Sequence, residues 1–391
     1  MSTRVHPELA SRVWDALVVG AGPAGSMTAR ELALRGARVL LVDRQSPPRW
    51  KVCGACLSPG TQSVLEDGGL GHIPGSLGAV PLRSLRLAGW SLEAEIPLRG
   101  SVALSRSSLD EALVKAAVES GVTFVAPARA RPGPIDAEAR AVHLDTGGGH
   151  VTARARVVIA ADGLGSAFLA GVRPDGTSMV ASESRIGLGA VFGSGVPGYE
   201  AGIVHMGVGD AGYVGLVRLE DGALDVASAL SQDRLGSGRR PEDLVREILS
   251  ESGMAPLPAD PIVGWKGTPV LTRSLPTRGD DRLFAVGDAA GYVEPFTGEG
   301  IAWALSGARA LAPIAAEGIR AWDPGLVTAW DHAYLHTIGR AAALCRGVAW
   351  GLRRPVLSRA GLRVLGFAPF LASPFVRRAS RAPERFTGRA S

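Results

Sequence analysis

The chain has 391 residues, 46% hydrophobic and 20% charged, a globular composition with enough length for two or three domains' worth of core. Three cysteines are too few for a disulfide framework and fit a reducing compartment. Only Lys51, Lys115 and Lys266 are lysines, so 39 of the 42 basic residues are arginine; eleven of those, with one acid, lie between Arg340 and Ser391, which leaves −5 of the net +5 for the rest of the chain.

The start, MSTRVHPELASRVWD, is polar and has no apolar h-region, and no run of about 18 apolar residues occurs, so a cytoplasmic protein without a spanning helix is expected. Val13–Gly20 reads as a short apolar strand, Ala24–Arg35 as a helix and Ala37–Val42 as a second strand, a βαβ unit of about 30 residues. Residues 44–80 are rich in proline and glycine. Ser84–Leu98 alternates as strands of a sheet, and Ser107–Ser120 is an amphipathic helix with Ser107 as its cap and Asp110 and Glu111 in its first turn. Val122–Val125, Ala141–Asp145 and Val157–Ala161 are further strands, and residues 180–270 alternate as an antiparallel sheet interrupted by one helix over Arg239–Gly253. Arg282–Val286 is a strand that runs into a glycine-rich loop, Gly300–Glu317 is a helix, and the remainder is helical and apolar, broken at Pro355, Pro369 and Pro374. The expected organisation is α/β: a dinucleotide-binding domain in pieces (12–80, 100–175 and 275–330), an inserted, mostly antiparallel sheet domain (81–99 and 176–274), and a C-terminal helical region (331–391).

Three motifs carry chemistry. Gly20-Ala21-Gly22-Pro23-Ala24-Gly25 is a GxGxxG between a strand and a helix, where the backbone can approach a pyrophosphate and the helix N-terminus offers free N–H groups. Asp43 ends the second strand, where a ribose-binding acid belongs and would repel a 2′-phosphate; this points to FAD or NAD. Far along the chain, RLFAVGDAAGYVEPFTGEGI (Arg282–Ile301) delivers Gly287-Asp288 from a strand, so that Asp288 can accept from a ribityl hydroxyl while Pro295–Ile301 offers N–H groups to a flavin; a nicotinamide enzyme needs no such second loop. Between them, VVIAADGLGS places Asp162-Gly163 after a strand.

In this order and spacing the motifs resemble the para-hydroxybenzoate-hydroxylase-like flavoproteins, and within that group the geranylgeranyl-reductase type. The closer likeness rests on Lys51-Val52-Cys53-Gly54 leading to Leu57-Ser58-Pro59 and on GYVEPFTGEGIAWA (Gly291–Ala304), and it covers roughly residues 12–330. The resemblance implies a discontinuous Rossmann-like domain holding FAD, with NAD(P)H as a transient electron donor. It implies that Gly20, Gly22, Pro23, Ala24 and Gly25 hold the pyrophosphate and Asp43 the adenosine ribose, and that Arg106 is aimed at the phosphate–ribityl region. Arg44, Lys51, Cys53, Gly54 and Ala128 are further expected cofactor contacts. Asp162 and Gly163 belong to a motif linked to FAD and NAD(P)H, Gly287 and Asp288 to the ribityl site, and Pro295, Gly298, Gly300 and Ile301 to the isoalloxazine; Cys53 and Tyr213 are the candidate catalytic residues.

There are departures. The Tyr-x-Trp-x-Phe-Pro segment of polyprenyl reductases survives here only as Tyr213 in Tyr213–Arg218, the Trp-x-Trp-x-Ile-Pro of flavin-dependent halogenases is missing, and the His and Asn of the hydroxylase branch are replaced by Gly291 and Ala302. The expected function is FAD-dependent reduction of a carbon–carbon double bond in a lipophilic, isoprenoid- or polyketide-like substrate. The alternatives are hydroxylation of a phenolic, lipid-tailed substrate, and a non-catalytic flavoprotein that binds a partner. Cys53-Gly54-Ala55-Cys56 and the pair His332 and His336 lack the further ligands of a metal site, so no metal is expected. No nucleic-acid-binding signature accompanies the basic tail; its arginines flank the apolar Val364–Val376 and suit peripheral contact with the inner face of a membrane.

Overall fold

The computed structural model describes residues 7–173, 178–236, 238–294, 296 and 298–372. The first unit opens with β1 (Val13–Val19), α1 (Pro23–Ala33) and β2 (Val39–Val42). A two-residue strand β3 (Cys56–Leu57) and helices α2 (Pro59–Asp67) and α3 (Ile73–Ser76) follow, then a long hairpin, β4 (Val80–Gly89) and β5 (Leu92–Ala103). Next come α4 (Arg106–Glu119), β6 (Thr123–Val125), β7 (Ala128–Ile135), β8 (Arg140–Thr146), β9 (Gly149–Ala160) and α5 (Ala167–Val172). The inserted stretch holds β10 (Met179–Val180), β11 (Ile186–Phe192), β12 (Ile203–Gly209), β13 (Gly212–Arg218), β14 (Leu224–Leu230), α6 (Pro241–Glu251) and β15 (Val263–Val270). The chain then returns through β16 (Arg273–Ser274), β17 (Gly279–Asp280) and β18 (Leu283–Ala285) to α7 (Gly300–Arg320), α8 (Gly325–Tyr334), α9 (Arg340–Leu352) and α10 (Pro355–Phe367).

Two eight-stranded sheets result. In the first, the order β17-β18-β9-β1-β2-β6 puts β1 at the centre, parallel to β2 and β9, while β9 pairs in parallel with β18 and the β7–β8 hairpin hangs from β9. β1, β2 and the end of β9 are buried on both faces, which is why they read as unbroken apolar runs rather than as alternation. Helix α1 packs with α7 and α4 on this sheet. The second sheet runs β15-β11-β14-β13-β12-β4-β5-β3, antiparallel except where β12 meets β4. Helix α6 buries Leu244, Val245, Ile248 and Leu249 against it, in one cluster with Val214, Leu216 and Val226.

Two local expectations are corrected. Helix α4 begins at Arg106 and its cap lies two residues earlier than its pattern suggested: Ser105, not Ser107, is the cap, its Oγ accepting from the Ser108 N–H at 3.2 Å. Strand β5 runs on past Pro97 to Ala103, because a register shift between Leu82 and Ser84 of β4 takes up the irregularity, and its end recruits Cys56–Leu57 as a neighbouring strand. Cys56 thereby belongs to the sheet, while Cys53 and Gly54 just before it line a cavity with Gly22 of the glycine loop.

Candidate active site

The glycine loop is fixed by close approach. A Cβ on Gly25 would lie 1.8 Å from the Gly20 carbonyl oxygen, and one on Gly20, at φ +103°, would lie 2.3 Å from that of Ala161. The loop between β1 and α1 therefore presses directly on the end of β9, and the Asp162-Gly163 turn sits beside it. At Gly22, which precedes the first turn of α1, the position of a Cβ is 3.6 Å from the Lys51 ammonium and 3.9 Å from the Arg106 guanidinium. Two cations thus stand over a helix N-terminus, a setting for a diphosphate.

A buried ion-pair chain holds these cations. Arg106 grips both oxygens of Asp110 at 2.9 and 3.0 Å, Asp110 also receives Arg49 at 3.0 Å, and Arg49 reaches Asp43 at 2.8 Å. Burial lowers the Lys51 ammonium to about 8, with Arg49 and Arg106 adding repulsion. Asp43 is held below its ordinary range: burial opposes ionisation, but Arg49 and the N–H groups of Ala21 (2.7 Å) and Gln45 (2.9 Å) outweigh it.

Two further carboxylates stand nearby with capacity to spare. Asp288 lines the cavity and makes no side-chain hydrogen bond among the described residues; burial raises its pKa, and Arg106, Lys51 and Arg273 oppose that. Asp162 accepts from the Phe168 N–H at 2.9 Å with one oxygen, which starts α5, while its buried Oδ1 has no partner; burial raises it too. Oxygens left unpartnered at this depth are costly unless a ligand's hydroxyls meet them. Paired cations at a glycine loop and open carboxylates along the same wall fit a dinucleotide with a polyhydroxy chain.

A single cavity of about 530 Å³ continues from this wall into the second sheet. There Tyr213, on β13, meets Phe296 edge to face at 5.0 Å and lies 5.4 Å beneath the Arg185 guanidinium. Glu294, almost fully buried, is clamped by Arg185 at 3.0 Å and Arg353 at 3.4 Å. Burial, then Glu294, pushes the Tyr213 phenol well above its usual range. Cys53 and Cys56 are free thiols; burial raises both, Cys56 to about 12, so they hold their protons. Glu299, at the start of α7, is pushed up to about 8 by burial; Ser58 donates to its Oε2 at 3.1 Å and its Oε1 has no partner.

The structure thus gathers most of the sequence-predicted residues along one cavity: Gly22, Pro23, Ala24, Arg44, Lys51, Cys53, Gly54, Arg106, Asp162, Gly163, Tyr213, Gly287, Asp288, Gly298, Gly300 and Ile301. Gly20 and Gly25 form the back of the loop instead of its lining. Asp43, expected to face a ribose, is not part of the lining, because Arg49 and the Ala21 N–H draw it against the protein; a ribose hydroxyl would share a carboxylate already occupied. Ala128 is likewise displaced from the cavity: it is buried at the start of β7 and its N–H donates to the Asp43 carbonyl oxygen at 2.7 Å. Pro295 lies outside the described residues. No group of three or more potential metal ligands occurs among the described residues, and no helix there is long and apolar enough to cross a membrane. Sequence reasoning missed Arg49, Arg185, Glu294 and Arg353. Only Glu294 carried a signal, as an acid inside an otherwise flavin-facing motif.

Comparison with known proteins agrees with this geometry. A family model described as FAD binding domain matches residues 14–334. The chain is 30% identical over 371 residues to menaquinone reductase of Mycobacterium tuberculosis, covering 87% of this chain and 84% of that protein. It is 31% identical over 332 residues to digeranylgeranylglycerophospholipid reductase 2 of Methanopyrus kandleri, covering 79% and 78%. Conditioned medium factor receptor 1 of Dictyostelium discoideum is 28% identical over 325 residues, 76% of this chain, and the chain spans only 62% of its length. Among solved structures, a geranylgeranyl bacteriochlorophyll reductase-like protein of Thermoplasma acidophilum superposes with a TM-score of 0.75 at 20% identity, covering 94% of this chain and 96% of that one. A mutant of halogenase PltM in complex with FAD superposes with a TM-score of 0.76 at 16% identity, covering 94% and 82%, so the fold is common to enzymes of several chemistries.

Proposed function

From the premise that this chain belongs to the FAD-binding domain family and is a FAD-dependent oxidoreductase of the geranylgeranyl-reductase and menaquinone-reductase type, we propose that it reduces a carbon–carbon double bond in a lipophilic, isoprenoid-like substrate, with NAD(P)H as the electron donor. One observation carries the reading. The cavity that begins at Lys51, Arg106 and Asp288 runs on without a wall into an apolar lining that includes Leu82, Leu85, Val204, Met206 and Leu271, so cofactor and greasy substrate would share one space.

Bound FAD supplies two-electron hydride chemistry. The chain supplies position and a proton. Lys51, Arg106 and the α1 N-terminus would hold the diphosphate, and Asp288 and the free oxygen of Asp162 would accept from hydroxyls of the cofactor's sugar portions. On the substrate side, Tyr213 and Cys53 both keep their protons at neutral pH, which suits a donor to carbon rather than a nucleophile. Phe296 and the Arg185–Glu294–Arg353 clamp hold Tyr213 in place.

Anaerobic turnover tests the proposal against hydroxylation. The reduced enzyme should convert a polyprenyl lipid without oxygen, and each reduced double bond should add about two mass units, as addition of a hydride and a proton requires. Product that forms only in air and carries ¹⁸O from labelled O₂ would replace reduction by hydroxylation.

A further inference from the structure

We propose that the outer face of α10, together with the turn that follows it, docks on an anionic lipid bilayer. Seven of the fourteen large hydrophobic side chains exposed among the described residues lie in the short stretch from Trp350 to Leu371. The helix is two-sided. Leu362 and Leu365 point inward, where α10 lies on β5 closely enough that a Cβ on Gly366 would come within 2.8 Å of the Glu93 carbonyl oxygen. Val356, Ala360, Val364 and Phe367 recur at helical spacing on the opposite side; Val356 is 78% exposed and Phe367 87%. Phe370, 69% exposed, extends that face past the helix.

Charge selects the occupant. From Arg340 to Ala372 the chain carries six arginines and no acid. Arg359 and Arg363 fall on one rim of the apolar face; Arg359 is 3.4 Å from Asp210, and Arg363 makes no ion pair among the described residues. A second copy would bring cationic rims together, which like charges oppose. An anionic leaflet offers acyl chains to Phe367 and Phe370 and headgroup phosphates to the arginines, so a helix of this pattern lies flat in its surface.

Position gives the surface a use. Leu362 and Leu365 belong to the same apolar cluster as Met206, Tyr213, Tyr292 and Phe296, which line the cavity. One helix layer therefore separates the outer face from the space proposed for substrate. That use rests on the lipophilic-substrate reading; the docking itself does not.

The test is co-sedimentation of the full-length, FAD-loaded protein with vesicles of phosphatidylglycerol and phosphatidylcholine in equal parts. Binding should occur, weaken as salt rises and fall to little on pure phosphatidylcholine. Phe367→Glu should lower partitioning at least about tenfold, and the double variant Arg359→Gln, Arg363→Gln should weaken binding and flatten its salt dependence, both with unchanged flavin content and melting temperature. The proposal is overturned if the full chain does not bind. It is overturned equally if Phe367→Glu binds as the unaltered protein does while removal of residues 373–391 abolishes binding, or if light scattering shows that Phe367→Glu splits a dimer and leaves vesicle binding intact. A protein that binds vesicles but reduces no lipid would uphold this surface and sink the reductase reading.

Discussion

Replacing Lys51 by Met keeps an apolar stem of similar length and removes one of the two cations at the glycine loop. At pH 7 Lys51 is protonated even without flavin, because its lowered pKa is about 8. The variant then loses a charge-assisted contact to phosphate, about 1.5–3 kcal/mol, or roughly 10- to 150-fold in FAD affinity. The flavin-free protein should respond in the opposite sense. Lowering an ammonium from its ordinary 10.5 to about 8 corresponds to ~3 kcal/mol of penalty. That penalty is fully present below pH 8 and is relieved as pH rises from about 8 to 10.5, where the unfolded chain still binds the proton and the folded one does not. Flavin-free Lys51→Met should therefore melt no lower than the unaltered protein at neutral pH. Above pH 8 the unaltered protein must take up a proton to meet phosphate, so its FAD affinity should fall by up to about tenfold per pH unit, while that of Lys51→Met should not. Titrating flavin-free protein with FAD by fluorescence quenching, on either side of pH 8, measures both effects. Equal affinity and equal pH dependence in the two proteins would refute the phosphate role. Weaker binding with a matching loss of flavin-free stability would make Lys51 a structural residue.

Tyr213→Phe should retain FAD and its absorption spectrum but slow oxidation of the reduced enzyme by substrate by about 10²- to 10⁴-fold, the range for loss of a positioned proton donor; rapid-mixing absorbance at the flavin band measures it, and a rate equal to that of the unaltered protein removes Tyr213 from the chemistry. Asp225, buried beneath the Trp50 indole that donates to it at 3.3 Å, is pushed up to about 8 by burial. Because the folded state keeps this proton after the unfolded chain has lost its own, stability should decline as pH rises from the ordinary carboxylate range to about 8, and Asp225→Asn should flatten that decline in thermal melts.

The parts of the site legible in the sequence are those whose backbone does the work. Gly20 and Gly25 announce a loop because no side chain fits there, Gly22 stands open between them, and Asp162 and Asp288 announce themselves by following apolar strands. The supporting ion pairs are not legible. Arg49 and Asp110 lie 61 residues apart, and Arg185 and Glu294 109 apart; neither pair has a spacing that means anything until the sheets close. Asp110 looked like a charge favouring the start of α4, yet it is fully buried, the shared partner of two arginines. Asp43 was placed correctly at the end of β2, but its orientation depends on Arg49, whose own role no pattern marks. The bulge that lets β5 reach Ala103 likewise depends on pairing, not on local propensity.

The first sheet is completed late. Its central strand β1 waits for β9 to pair Val13 with Arg154, and β9 waits for β18, so residue 285 must be made before the sheet is complete and residue 300 before α7 begins. A chain still being made therefore has no place for the flavin, however well its first βαβ unit has formed. Long sequence separations of this kind slow folding and leave apolar strands waiting for partners. Chaperone demand should thus be heaviest while the hundred-odd residues of the inserted sheet are being made.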